Sequence, residues 1–309
     1  MSLNEDKIIV ITGPTASGKT SLAVSLAGHM DIEVISADSR QIYRYLDIGT
    51  AKPTEEELSA VKHHFIDILD PDENYSAGRF GEEAYNSFIK IKETGKLPVV
   101  VGGSGLYIKA LCEGLFDESG PPCPEIRKML EERLANEGID AMYTELEGID
   151  PKSAILFEDK NPRRILRALE YYIINNEPIS EAHESSRRKR NLKPLYIGLN
   201  FERDDLYERI NLRVDKMWQE GIIGETKRVL EMGYSPALNS LNTVGYKEVI
   251  SRLKNEISEE EALRLIKRNT RRYAKRQLTW FRKYADMNWL PPEMKKAENA
   301  ALKLIKDFN

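Results

Sequence analysis

An apolar strand followed by a glycine-rich loop and a helix constrains the fold more than any other feature of this sequence. Residues 7–12 have the composition of a strand buried on both faces, and residues 21–27 continue as a helix. Between them, residues 13–20 (Gly-Pro-Thr-Ala-Ser-Gly-Lys-Thr) match the phosphate-loop pattern G-x-x-x-x-G-K-[ST] at every required position. The backbone N–H groups of such a loop converge on phosphate oxygens, and its threonine hydroxyl offers a ligand to Mg²⁺. The sequence therefore predicts a phosphate site with a Mg²⁺ ion at Thr20, formed by Gly13, Thr15, Ala16, Ser17, Gly18, Lys19 and Thr20.

Short apolar runs alternate with helical patterns through the first third of the chain. Residues 32–36 and 97–101 have strand composition. Residues 80–93 have a helical pattern whose apolar face contains Phe80, Ala84, Phe88 and Ile91. Strands alternating with helices at this spacing predict a parallel sheet flanked by helices, so we expect an α/β fold of the P-loop NTPase type.

The pattern changes after Gly114. Prolines follow at positions 121, 122 and 124, and the next stretch reads as helices alone, at residues 125–136, 141–146 and 163–175. Strand character returns at residues 195–199, and from Asp204 we expect helix to the end of the chain. We therefore predict a P-loop α/β core with a helical C-terminal part, formed by residues 1–116 and 193–309, and an all-helical insertion at residues 117–192.

The bulk composition argues against several classes of protein. No apolar run approaches the roughly 18 residues that span a bilayer, and the polar N-terminus has no signal-peptide pattern, so we expect a cytoplasmic protein. Two cysteines are too few for a disulfide framework, and none of the four histidines lies at metal-ligand spacing with them. We expect a monomer because no extended apolar face is visible.

The formal net charge of −4 conceals clusters of basic residues. One cluster is residues 187–190, and another lies between Arg264 and Lys283, where no acidic residue occurs. The second segment reads as one long helix whose core-facing side contains Leu263, Ile266, Tyr273, Gln277, Trp280 and Tyr284. A solvated face usually mixes both signs, so a one-signed stripe favours contact with nucleic-acid phosphates over a plain exposed surface.

Two further features are expected at the edge of the sheet that carries the phosphate loop. Asp38 follows the second strand, and a turn containing Ser104 and three glycines follows the third. The carboxyl ends of parallel strands meet at one edge, where α/β proteins bind ligands. From position alone, Asp38 is equally a turn former, and the glycine turn is equally a tight connection.

The residues at these positions resemble, in order along the chain, the signatures of bacterial tRNA dimethylallyltransferases. The resemblance includes the phosphate loop and extends over nearly the whole chain. The other matching segments are Asp38-Ser-Arg-Gln-Ile-Tyr43, Asp47-Ile-Gly-Thr-Ala-Lys-Pro53, His63-His-Phe-Ile-Asp67, Val101-Gly-Gly-Ser-Gly-Leu-Tyr107, Asn161-Pro-Arg-Arg-Ile-Leu-Arg-Ala-Leu-Glu170 and Lys275-Arg-Gln-Leu-Thr-Trp-Phe-Arg282.

The resemblance implies transfer of a dimethylallyl group from dimethylallyl diphosphate to N6 of adenosine-37, in tRNAs that read codons beginning with U. It implies that the phosphate loop holds the donor diphosphate and that Asp38 is the general base. It also implies that Ser104, where the family more often has threonine, contacts the bridging oxygen of the donor. Arg213 matches the family arginine that contacts the diphosphate.

The same resemblance implies an RNA partner, the anticodon stem-loop, held between the insertion and the core. The target base leaves its stack to reach the donor, as base-modifying enzymes generally require. The implied tRNA contacts are Asp38, Ser39, Arg40, Gln41, Arg163, Arg164, Ile165, Leu166, Arg167, Lys275, Arg276 and Gln277.

Three alternatives remain open at the level of sequence. A P-loop kinase for a small metabolite also has an aspartate after the second strand, and Arg163 or Arg187 would serve as its lid arginine. An isopentenyltransferase for free adenine nucleotides needs the same donor site but not two basic clusters. A non-catalytic, nucleotide-dependent RNA-binding switch would have no chemical need for Asp38 and Thr20.

Overall fold

A parallel sheet of six strands forms the centre of the computed structural model, which describes residues 6–114, 123–185, 190 and 192–308. The strands lie side by side in the order β3-β2-β4-β1-β5-β6, and every neighbouring pair is parallel. The carboxyl ends of β1, β2 and β4 therefore meet at one edge. The strands are β1 (Asp6–Thr12), β2 (Ile32–Ser36), β3 (His63–His64), β4 (Leu97–Gly102), β5 (Leu192–Leu199) and β6 (Asn288–Leu290).

Helices cover both faces of the sheet, which confirms the predicted fold class. Within the described residues, 123–185 contain helices only. No helix in the described ranges is both long and apolar enough to cross a membrane. The helices are α1 (Lys19–Ala27), α2 (Glu55–Ala60), α3 (Ala77–Glu93), α4 (Gly105–Glu113), α5 (Pro124–Ile149), α6 (Pro151–Leu156), α7 (Pro162–Asn175), α8 (Ile179–Ser185), α9 (Arg203–Gln219), α10 (Ile222–Glu231), α11 (Tyr246–Leu253), α12 (Glu259–Phe281) and α13 (Met294–Phe308).

The apolar run of β1 is continuous because both faces of the sheet are buried. Ile8 and Val10 join the core that includes α3, α4 and α11, whereas Ile9 and Ile11 join the core that includes α1 and α13. Successive side chains of a strand point to opposite faces, so this division follows directly from the backbone. Burial of such side chains contributes about 1.5–3 kcal/mol each. The predicted apolar face of α3 is also buried.

The helical segment of residues 123–185 has a core of its own, formed by residues of α5, α6, α7 and α8. The backbone of α5 bends at Gly138, whose φ of 81° is non-helical, and this bend corresponds to the gap between the two helices predicted there. Helix α7 begins at Pro162, and the side chain of Asn161 accepts hydrogen bonds from the N–H groups of Arg163 and Arg164. Local capping thus fixes where α7 starts.

The C-terminal part is not helical throughout, so the prediction of helix from Asp204 to the end was wrong. Residues Asn288–Leu290 form β6, which extends the sheet beyond β5. The ring of Trp289 packs so closely on Gly198 that an added Cβ would lie 2.7 Å from it. A strand of three residues is too short to show an alternating pattern, and its pairing comes from this long-range contact. The two-residue strand β3 was missed for the same reason.

Candidate active site

Two adjoining cavities open at the carboxyl edge of the sheet. The first, of about 260 Å³, is lined by the phosphate loop and by residues after β2 and β4, and we call it the phosphate-loop cavity. The second, of about 420 Å³, is lined by several arginines and by residues 242–245, and we call it the basic cavity. A group held in one can reach a group held in the other, because five residues line both cavities: Thr15, Asp38, Thr50, Arg213 and Tyr273.

The phosphate loop has the backbone geometry that an anion cradle requires. Gly18 caps α1 in the left-handed conformation, with φ of 90°, and no side chain caps the first turn of the helix. The positive end of α1 therefore faces the cavity. Of the predicted phosphate-binding residues, Gly13 and Ser17 are buried beneath the loop, and the others line the cavity: Thr15, Ala16, Gly18, Lys19 and Thr20.

Two half-buried cations lie at this loop. The amino group of Lys19 donates a hydrogen bond to the carbonyl of Pro14 over 2.7 Å, and the guanidinium of Arg213 donates to the hydroxyl of Thr15 over 3.3 Å. Burial and the charge of Arg213 lower the pKa of Lys19 to about 7, against an opposing effect of Asp38. Burial also lowers the pKa of Arg213. A lysine whose charged form is disfavoured by burial and by a neighbouring arginine favours an anionic ligand beside it.

The hydroxyl oxygens near Thr20 suit Mg²⁺ better than a metal that is coordinated by protein side chains alone. Thr20 lines the cavity, and the buried hydroxyl of Ser17 has no hydrogen-bond partner among the described residues. No group of three or more His, Cys, Asp or Glu residues in the described ranges is arranged to hold a metal. Mg²⁺ keeps several waters and takes phosphate oxygens as ligands, so one protein hydroxyl is compatible with it.

Asp38 both forms a turn and faces the two cavities. Its Oδ1 accepts hydrogen bonds from the N–H groups of Arg40 and Gln41, at 2.9 and 3.4 Å. Within the described part of the chain, its second carboxylate oxygen accepts no hydrogen bond. The turn therefore fixes the carboxylate and leaves one oxygen available to a ligand.

The side chain of Gln277 ties α12 to two loops of the site. Its Oε1 accepts a hydrogen bond from the N–H of Thr15 over 2.8 Å, and its Nε2 donates to the carbonyl of Gly103 over 2.9 Å. A Cβ at Gly103 would lie 2.2 Å from that Nε2, and one at Gly105 would lie 2.1 Å from Nε1 of Trp280. The glycines of this turn are therefore required by the close approach of α12.

Ser104 lies behind the cavities. Its Oγ accepts a hydrogen bond from the N–H of Ser39 over 3.1 Å, and the described residues that line the two cavities do not include it. Its observed contact holds the turn after β2 next to the turn after β4. A contact between Ser104 and a donor molecule stays a prediction.

A buried carboxylate on α10 organises the loop that follows the Asp38 turn. Glu225 accepts hydrogen bonds from three successive backbone N–H groups, those of Asp47, Ile48 and Gly49, and from the hydroxyl of Tyr246. The amide of Gln41 donates to the carbonyls of Thr50 and Ala51 in the same loop. The wall of the phosphate-loop cavity is thus attached to both α10 and the Asp38 turn.

Replacing Glu225 with alanine is expected to lower the free energy of unfolding by about 3 kcal/mol or more, because four donors lose the carboxylate that accepts their hydrogen bonds. Urea denaturation followed by circular dichroism measures this. Glu231→Ala, which removes an exposed carboxylate from the end of the same helix, is the control and should change stability by less than about 0.5 kcal/mol. Equal effects of the two substitutions would contradict this account of the loop.

The basic cavity joins the helical segment to the core. Arg163, at the start of α7, lines it together with Arg40, Lys247 and Arg276. Asp38 is the only carboxylate among the described residues that line it. Such a surface attracts a polyanion while presenting one carboxylate to whatever enters.

A model of the family described as IPP transferase matches residues 41–284 of the chain. The tRNA dimethylallyltransferase of Acetivibrio thermocellus is 44% identical over 307 residues, which cover 98% of this chain and 97% of the relative. The chain belongs to the IPP transferase family. A second relative, tRNA dimethylallyltransferase 1 of Syntrophotalea carbinolica, is 46% identical over 97% of this chain and 95% of its own length. The family resemblance noted in the sequence is thereby confirmed.

Solved structures of the IPP transferase family have the same fold. The tRNA isopentenylpyrophosphate transferase of Bacillus halodurans is 39% identical, with a TM-score of 0.71 and coverage of 98% of each chain. A eukaryotic dimethylallyltransferase, solved in a study of its action on tRNA, is 28% identical with a TM-score of 0.82. That match covers 98% of this chain and 79% of the eukaryotic one.

The residues for which the family resemblance implied tRNA contact do not all line the same cavity. Those that line the basic cavity are Asp38, Ser39, Arg40, Arg163 and Arg276. Gln41 and Gln277 line the phosphate-loop cavity instead, and their amides are engaged with the protein backbone. Lys275 is exposed and lines neither of the two cavities.

Two of the predicted tRNA contacts on α7 have buried side chains. The side chains of Ile165 and Leu166 lie in the core of the helical segment, with 0% and 3% exposed, so contact with RNA is left to their backbone and stays a prediction. Arg164 is exposed but lies 3.7 Å from Asp159, and Arg167 lies 3.2 Å from the buried Glu170. Of this stretch, Arg163 is the residue that reaches the basic cavity.

Both basic clusters are also less uniform than the sequence indicated. Arg190 is buried, pairs with Glu82 and donates hydrogen bonds to the carbonyls of Gly81 and Ala110, so it anchors the chain to the core. Positions 187–189, and prolines 121 and 122, lie outside the described residues. In α12, Arg264 pairs with Glu261 and Lys267 pairs with Asp215. The predicted one-signed stripe is therefore neutralised over its first turns by residues outside it.

Much of the lining of the basic cavity could not be predicted from the sequence motifs. The loop of residues 242–245, Lys247 and Thr270 all line it, but none belongs to a motif that sequence reasoning singled out. The loop reads Asn-Thr-Val-Gly immediately before α11, and this polar, glycine-containing start of a helix was the available signal. His63, which lies in one of the segments that resemble the family, also lines the phosphate-loop cavity.

Proposed function

We propose that the protein transfers a dimethylallyl group from dimethylallyl diphosphate to N6 of adenosine-37 in tRNAs that read codons beginning with U. The products are N6-isopentenyladenosine and diphosphate. The observation that carries the proposal is the junction of the two cavities, where Asp38 lies between a phosphate loop with two cations and a basic surface. The named activity of the relatives, tRNA dimethylallyltransferase, agrees with this arrangement.

The donor diphosphate occupies the phosphate-loop cavity. The N–H groups of the loop and the start of α1 bind its oxygens, and Lys19 and Arg213 neutralise its charge. The two cations act most strongly on the leaving group, because negative charge accumulates there as the C–O bond breaks. The Thr20 hydroxyl would hold a Mg²⁺ ion, which when bound supplies further charge neutralisation to the diphosphate.

Asp38 removes a proton from the amino group of the acceptor. The nitrogen lone pair forms a bond to C1 of the donor, the electron pair of the C1–O bond leaves with the diphosphate, and the N6 proton passes to the free carboxylate oxygen. A carboxylate suits this step because it accepts hydrogen bonds only. The hydrogen bonds from Arg40 and Gln41 hold it in place.

The RNA lies across the basic cavity, with Arg40, Arg163 and Arg276 near its phosphates. The target adenosine turns out of its stack into the cavity, and unpaired loop bases are read at their edges. We propose a cytoplasmic location, which a tRNA substrate supports. We propose that it acts as a monomer, since both cavities are built from a single chain.

The deciding experiment supplies Mg²⁺, labelled dimethylallyl diphosphate and unmodified anticodon stem-loop RNA, with AMP and ATP as parallel acceptors. Label transferred to the RNA adenosine alone supports the proposal. Label on AMP or ATP would instead identify a prenyltransferase of free nucleotides. Absence of transfer to any acceptor, with the RNA correctly folded, would contradict prenyl transfer and favour the kinase or the RNA-binding switch.

Reversing the charge of Arg163, in the variant Arg163→Glu, is expected to raise KM for the RNA about tenfold while donor binding stays unchanged. The salt dependence of log KM should also lose about one unit of slope, because one phosphate contact is removed. Arg228→Glu is the matched control, since Arg228 is exposed on α10 and lines neither cavity. The same KM for both variants would remove Arg163 from the RNA interface.

A further inference from the structure

Tyr273 occupies the junction of the two cavities and is the only phenylalanine, tyrosine or tryptophan among the described residues that line either of them. It lies on α12 one turn before Gln277, whose amide is bonded to the phosphate loop and to Gly103. The position of the ring relative to Thr15 is therefore fixed by a short rigid connection. Its phenol interacts with Ser104, and burial raises its pKa well above the ordinary value, so it is neutral.

The junction is also the place where positive charge appears in the proposed reaction. As the C1–O bond of the donor lengthens, the dimethylallyl group gains allylic cation character between the diphosphate and the acceptor nitrogen. Lys19 and Arg213 stabilise the leaving diphosphate but repel this developing cation, and Asp38 is engaged with the acceptor proton. A neutral aromatic ring attracts a cation through its quadrupole without binding the diphosphate or the proton.

We propose that the ring of Tyr273 stabilises the allylic cation character of the dimethylallyl group during transfer and packs against its methyl groups. This inference rests on the proposed function, because it concerns the transition state of that reaction. The bonds change as described for Asp38, and Tyr273 neither gains nor loses a proton. Tyr273 is thereby a catalytic residue that acts through its ring.

The side chain of Arg276, about one helical turn after Tyr273 on α12, lies in the same region. Its guanidinium carbon lies 5.7 Å from the centroid of the Tyr273 ring, and Arg276 also lines the basic cavity. An acceptor base stacked on the ring is therefore the main competing use of Tyr273. The two uses differ in kinetics, since stacking on the RNA contributes to binding before chemistry, whereas stabilisation of a cation contributes only in the transition state.

The test compares Tyr273→Phe, which keeps the ring, with Tyr273→Leu, which removes it. Tyr273→Phe should keep kcat within about threefold of the wild type, whereas Tyr273→Leu should lower kcat about 30-fold, the equivalent of about 2 kcal/mol, with KM for the RNA nearly unchanged. The α-secondary deuterium isotope effect at C1 of the donor should fall in Tyr273→Leu, because a less stabilised cation gives a tighter transition state. Tyr207→Leu is the control, since Tyr207 lines neither cavity.

The outcomes distinguish a failure of the inference about Tyr273 from a failure of the proposed function. Transfer by the wild type with an unchanged kcat in Tyr273→Leu overturns this inference and leaves the proposed function intact, whereas no transfer by the wild type overturns the function itself. A raised KM for the RNA at constant kcat assigns the ring to base stacking. An equal loss in Tyr273→Phe assigns the effect to the hydroxyl. If Tyr273→Leu does not fold, Tyr273→Met keeps a long apolar side chain and takes its place.

Discussion

Replacing Asp38 with asparagine is expected to slow dimethylallyl transfer by about 10²–10⁴-fold, the usual contribution of a general base. The oxygen of asparagine still accepts the hydrogen bonds that Arg40 and Gln41 donate to Asp38, so the turn after β2 should persist. The substitution thus removes the base and keeps the geometry. Single-turnover rates with saturating enzyme, together with the dissociation constants of the donor and of the RNA, measure the effect.

Binding of both substrates should stay near the wild-type values in Asp38→Asn, which separates a chemical role from a structural one. Asp72→Asn, at an exposed position, is the control and should leave the rate unchanged. A single-turnover rate close to that of the wild type would exclude Asp38 as the base. The residue would then be a turn former alone.

Lys19→Met should lower kcat/KM for the donor by about 10²–10³-fold, since it removes one of the two cations that neutralise the diphosphate. Steady-state kinetics with the donor varied measure the loss. Lys90→Met, at an exposed position on α3, is the control. A value of kcat/KM that falls no further than in the control would contradict the role of the phosphate loop in donor binding.

The thermal stability of Lys19→Met without ligand should increase, although its kcat/KM for the donor decreases. Burial and the charge of Arg213 both disfavour a charged Lys19 in the free protein. Its replacement by an apolar side chain of similar length is therefore expected to raise Tm without ligand and to reduce the rise in Tm that diphosphate causes. A lower Tm without ligand would mean that Lys19 stabilises the loop by its hydrogen bond to Pro14.

The parts of the site that could be predicted from sequence are those whose signal is local. The phosphate loop is a contiguous motif between a strand and a helix, and Asp38 directly follows a buried strand. The edge of a parallel sheet then brings them together without further information. The α/β fold class was predictable for the same reason, because each strand and helix carries its own periodic pattern.

The remaining parts depend on contacts between distant segments. Glu225 accepts hydrogen bonds from residues about 180 positions earlier, and Gln277 accepts one from the phosphate loop. The sequence around Glu225 or Gln277 contains no pattern that indicates these contacts. The burial of Ile165 and Leu166 is predictable from the sequence, since they share an apolar helical face with Leu169, although the family resemblance implies tRNA contact at both positions.

The hydrogen bond between Thr15 and Gln277 limits when the nascent protein can become active. The loop that binds the donor is synthesised first, yet the α12 residue that supports it is made after nearly nine-tenths of the chain. Contacts so distant along the chain form late in folding, because the intervening segment must first become ordered. A ribosome-bound chain that still lacks α12 should therefore contain the phosphate-loop sequence without the hydrogen bond that supports the loop. Such a chain should become active only when the last helices have been synthesised.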